Sequence, residues 1–165
     1  MFDLMLATAV NARGPRSIRF VGLSGASNST IGVHEFEIYN KSGQNVCRLA
    51  GYVPTCSYSP NANKFGANFT TFPVEYAIDG NSSTWQNTTY MGCATDYSAW
   101  LQFDFPKGFD MDYWRFKVEG SWYPSGEGVA LQALIDGDWI TVTGTRSPLS
   151  WGPSTWFTFT GLSHT

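Results

Sequence analysis

At 165 residues the chain has the length of one domain with a full hydrophobic core, and its formal net charge is −3, with a pI near 5.2. That balance argues against nucleic acid as a partner, because phosphate contacts need clustered Lys and Arg, and no apolar run approaches the length of a membrane span. Aromatic residues make up 16% of the chain, with 7 Trp, against only 14% charged residues, so some aromatic surface is expected to meet a ligand or a protein partner beyond what a large core consumes.

Residues 1–15, ending Arg13-Gly14-Pro15, read as an arm ahead of a single sandwich domain over 16–165. The opening Met1-Phe2-Asp3-Leu4 carries an acid where an export signal carries a positive charge, so cytoplasmic synthesis is expected. Short runs that alternate apolar and polar residues then follow at 17–23, 34–39, 100–105, 113–119, 129–135, 139–143 and 156–160, separated by Gly, Pro, Asn and Ser clusters. This pattern predicts an all-β fold, an antiparallel β-sandwich or jelly roll. In the first run, alternation places Arg19 on the outer face. In the second, Phe36 and Ile38 point to the core, so the neighbouring Glu35 either lies exposed or needs a bulge or a metal to accommodate it. Val74 to Ile78 predicts one helical turn. The long connections at 40–72, 86–98, 120–128 and 144–155 are where function is expected.

The stretch from Ala77 to Trp85 concentrates chemistry. Asp79-Gly80 starts a tight turn, and the oxygens of Asp79, Asn81 and Thr84 suit a hard cation. The same residues also fit a plain hairpin with a surface tryptophan. Two later blocks, Trp100-Leu101-Gln102-Phe103-Asp104 and Val129-Ala130-Leu131-Gln132 followed by Asp136-Gly137-Asp138-Trp139, stand in a fixed order behind it.

In this order and spacing the three blocks resemble the discoidin (coagulation-factor type C) and galactose-binding-like β-sandwich family over about residues 16–160. The strand Val33 to Tyr39, which usually comes last there, sits near the start, so the chain looks circularly rearranged, like single-domain proteins of bacteriophage tails and fibres. The resemblance implies a structural Ca²⁺ on Glu35, Asp79, Asn81 and Thr84. It also implies a ligand face on loops at one end of the sandwich. Trp122, Tyr123, Trp85 and Tyr90, with Tyr97 beside them, are the candidate platforms, and Asn87, Asp96 and Arg146 are the candidate polar partners for a sugar. Trp122 and Tyr123 equally suit contact with a neighbouring subunit.

Cys47, Cys56 and Cys93 cannot all pair within one chain, and reduced thiols are expected. Catalysis finds little support. The histidines are His34 and His164, no Gly-x-Ser-x-Gly elbow or metal-ligand pair occurs, and the pairs Asp110/Asp112 and Asp136/Asp138 lie in turn contexts. The expected protein is a non-catalytic binding module, a virion component that adheres to host-surface glycan within an oligomeric assembly. The alternatives are a structural virion protein or a carbohydrate-binding accessory to a glycan-degrading enzyme.

Overall fold

The computed structural model describes residues 14–23, 30–64, 67–81, 85–94, 96–119, 128–149, 152 and 154–164. Its strands are β1 (Ser17–Leu23), β2 (Thr30–Asn40), β3 (Thr55–Tyr58), β4 (Thr89–Gly92), β5 (Trp100–Asp104), β6 (Met111–Val118), β7 (Gly128–Ile135), β8 (Asp138–Ser147) and β9 (Trp156–His164). They form one sheet in the order β3-β5-β1-β7-β8-β9-β6-β2-β4, and every pairing is antiparallel. The fold is all-β, a single antiparallel sheet curled into a sandwich-like, jelly-roll-like body. Where the sheet's two edges meet, loop hydrogen bonds close the seam. Gly92 donates to the Ala62 carbonyl at 2.7 Å, and Ala94 donates to the Gly22 carbonyl at 3.1 Å. A Cβ on Gly92 would come within 2.9 Å of both the Asn61 and the Lys64 carbonyl oxygen, so only glycine lets this turn lie against β4.

Alternation builds the core as the sequence predicts. Phe20, Phe36, Phe103, Trp114, Phe116 and Phe157 are all buried to within about 1% exposure, and burying each ring stabilises by roughly 1.5–3 kcal/mol. Phe36 stacks on Phe103 at 5.0 Å, which joins the two layers directly. Trp114 stacks on Phe159 at 4.0 Å, although its buried indole N–H finds no acceptor among the described residues. The expected turn at 74–78 is present as a 3-10 helix, Val74–Ile78, with Val74, Ala77 and Ile78 buried. Two four-residue edge strands, β3 and β4, lie inside segments expected to be connections.

Strand directions sort the loops. From the registers, the C-terminal ends of β1, β4, β6 and β8 share one end of the sandwich. The 105–110 connection, the β7–β8 turn and residues 14–16 lie at the other. That second end holds a cleft of about 400 Å³ lined by Gly14, Pro15, Lys41, Phe109, Asp110 and Asp112, among others.

Candidate functional site

The register of β2 against β6 shifts between Val33 and Glu35. This irregularity turns Glu35 under cover, so that it is 1% exposed, the same as the adjacent Phe36. What covers it is the 3-10 turn and the loop that follows. Asp79 closes that turn at φ −79°, Gly80 reverses the chain at φ +83°, and the Gly80 N–H donates to Glu35 Oε2 at 2.9 Å. The Arg48 guanidinium packs so tightly on Gly80 that a Cβ there would sit 2.3 Å from it. Among the described residues, Glu35 Oε1 has no hydrogen-bond partner. Burial pushes the Glu35 carboxyl up to about 8; Asp79 and Glu37 add to the rise, while the Gly80 N–H and Arg48 oppose it.

Asp79 holds the rest of the loop. Its Oδ1 accepts from the Asn81 N–H at 2.7 Å, and its Oδ2 accepts from the Asn87 amide at 3.0 Å. Asn87, assigned from sequence to the ligand face, is thus tied to the acidic loop. Thr84 lies outside the described residues. The donor chemistry fits a hard cation. Glu35 Oε1 is an acceptor without a donor, and Asp79 is close enough to raise its neighbour's proton affinity. Among the described residues, no cluster of three or more Asp, Glu, His or Cys converges, so Asn81 and carbonyl oxygens would have to complete the shell. Arg48 is the competing positive charge.

The other predicted site residues scatter. Tyr90, on β4, packs edge-on against Phe72 at 5.0 Å, and burial first, then Glu119, raises its hydroxyl pKa. Trp85 opens a short 3-10 turn ending at Asn87. Arg146, half-buried on β8, donates to the Leu149 carbonyl of its own connection. Trp122 and Tyr123 lie outside the described residues.

Asp96 belongs to a built loop at the end where β4 finishes. Asp96 Oδ1 accepts from the Ser98 N–H at 3.1 Å and from the Ser98 hydroxyl, and those two hydrogen bonds lower its pKa. The Asn61 side-chain amide donates to Ser98 Oγ at 2.6 Å, and Lys64 Nζ donates to Asn61 Oδ1 at 2.5 Å. Between Asp96 and Ser98 stands Tyr97 at φ 63°, 41% exposed. A left-handed conformation costs a residue with a Cβ on the order of 1–2 kcal/mol. Here the flanking hydrogen bonds over-determine it, as happens where strain serves a site. The loop therefore exposes an aromatic ring between Asp96 and Ser98, with Ser98 in turn held by Asn61 and Asn61 by Lys64. Sequence flagged Asp96 and Tyr97, but Asn61 and Lys64 carry no signal, because they arrive from a turn more than thirty positions away.

A third polar cluster is closed on itself. On the outer face of β2 and β6, the Tyr39 hydroxyl donates to Glu37 at 3.0 Å, Arg115 donates to Glu37 and to the Tyr39 oxygen, and Tyr113 stacks on Tyr39 at 4.5 Å. These groups satisfy one another. Likewise, buried His34 exchanges a 2.6 Å hydrogen bond with Thr88. No family model, curated protein or solved structure matches this chain.

Proposed function

We propose that this protein acts by binding, without catalysis, and that its ligand is a glycan held at the loop end around Tyr97. The observation that carries the reading is Tyr97 itself, an exposed ring kept at φ 63° by the Asp96–Ser98 hydrogen bonds. A sugar's C–H face packs on a phenol ring while Asp96, Asn61 and Lys64 offer acceptors and donors to its hydroxyls. The sequence resemblance supports a virion surface as the setting and host-surface glycan as the target. A glycan array probed with the full chain tests the reading. Binding to a defined glycan class supports it, and a blank array at high protein concentration contradicts it.

A second reading is favoured by Leu149, 75% exposed in the connection after β8, at the same end of the sandwich. An apolar side chain so exposed suits contact with a neighbouring subunit in an assembly. Replacing Leu149 by Asp separates the two readings, since it would block assembly and spare glycan binding.

We also propose that Glu35, Asp79 and Asn81, with Thr84, hold one structural Ca²⁺. The unpartnered Glu35 Oε1 supports this. Such an ion would tie the bulge of β2 to a loop 45 positions away.

A further inference from the structure

The outer face of the half-sheet built by β5, β1, β7 and β8 carries a polar row that the loop-end site does not use. Arg19 lies opposite Gln102 on β5 and Gln132 on β7, and Gln132 lies opposite Thr141 on β8. Trp100 stands two residues before Gln102 and Trp139 two before Thr141. Because β5 and β8 run in opposite directions, the two indoles flank the row from opposite sides. The Arg19 guanidinium carbon is 3.9 Å from the ring centroid of each. Its Nε donates to Gln102 Oε1 at 2.9 Å, and the Gln102 amide donates in turn to both Asp104 oxygens at 3.1 and 3.0 Å.

This clamp fixes the guanidinium plane on three sides. The rotamer entropy that an arginine ordinarily loses on binding has already been lost in folding. Neither terminal nitrogen of Arg19 makes a hydrogen bond to any described residue, and the same holds for the Gln132 amide and the Thr141 hydroxyl. All three side chains are half-buried, so they still reach solvent. A fixed fork of parallel N–H donors matches a carboxylate in bidentate geometry. Asp104 is the group that opposes an anion here, but its oxygens already accept from Gln102 and solvent screens it.

We propose that this row is a second binding site, for a carboxylated sugar residue such as a uronate. Arg19 takes the carboxylate, Gln132 and Thr141 exchange hydrogen bonds with ring hydroxyls, and the indole edges of Trp100 and Trp139 wall the ligand. Partners on successive strands stand about 4.8 Å apart, a pitch on the scale of one pyranose ring. That spacing of amide and hydroxyl groups favours a polyhydroxylated ligand over an acidic peptide. The site needs neither Tyr97 nor a bound cation, so it stands or falls separately from the loop-end reading.

The test titrates galacturonate trisaccharide, neutral galactose trisaccharide and a triglutamate peptide into the full chain, with tryptophan fluorescence as the readout. The uronate is expected to bind at least about tenfold tighter than the neutral sugar. Arg19→Lys, which keeps the charge but not the fork, abolishes that preference. Thr141→Ala weakens uronate binding. Equal or undetectable binding of the two saccharides by the wild type overturns the proposal. So does an Arg19→Lys variant that keeps the preference, or a triglutamate affinity matching that of the uronate. Should Arg19→Lys fail to fold, the wild-type comparison and Thr141→Ala decide alone.

Discussion

Glu35 is buried with one carboxylate oxygen lacking a donor, and its proton affinity is raised from 4.5 to about 8. The folded protein therefore binds a proton that the unfolded chain releases between those values. Stability is greatest below pH 4.5 as far as this group is concerned, and it falls as pH rises toward 8, by at most about 1.4 kcal/mol per pH unit. Urea unfolding of chelator-treated protein at pH 5 and pH 8 should show this decline, and Glu35→Gln should flatten it; an identical slope in the variant would remove Glu35 as its source. Calcium should reverse the trend at pH 8, because a cation replaces the proton. A melting temperature that neither calcium nor chelator moves at pH 8 contradicts the cation proposal. Burial also governs the thiols. It raises Cys56 to about 12 and Cys47 further, so alkylation of the native protein at pH 8 should be slow at both. Rapid labelling of Cys47, which is 1% exposed, would mean that the core opens there.

Among the elements, the bounds of β1 were legible, because Ile18 and Phe20 alternate with outward Ser17 and Arg19, although Val21 to Leu23 are then buried without alternation. β3 and β4 were not legible. Each has four residues, too few to display alternation, and each pairs on one side only at the edge of the sheet. The acidic loop was half legible. Asp79, Gly80 and Asn81 announce a turn, and Glu35 announces an anomaly, but Arg48 over Gly80 and Asn87 on Asp79 depend on tertiary packing that no local pattern encodes. The entry into β1 yields a sharper test. A Cβ on Gly14 would fall 1.9 Å from the Phe109 carbonyl oxygen, whereas one on Gly152 meets, among the described residues, only Thr155 at 3.6 Å. Gly14→Ala should cost about 1–3 kcal/mol in a thermal melt and Gly152→Ala close to nothing. Equal effects would show that the approach of residue 14 to the 105–110 connection is not maintained in solution.

For the whole molecule, a curled antiparallel sheet encloses an aromatic core, and under the proposed function binding falls to what that body holds out at its ends and on its faces. Of the polar clusters on its surface, the Glu37–Tyr39–Arg115 triangle is satisfied internally, while the Tyr97 loop is strained and exposed. That contrast underlies the functional reading, and it predicts a trade between stability and binding at one position. Replacing Tyr97 by glycine removes the ring and relieves the left-handed strain together. The most direct measurement is calorimetric titration of an array-selected glycan into wild type and Tyr97→Gly, paired with the melting temperature of each. The variant is expected to be as stable as wild type or more so, by up to about 1 kcal/mol, and to bind at least about tenfold more weakly. A variant that binds the glycan as tightly as wild type, or one that loses binding only because it has unfolded, would contradict the functional reading.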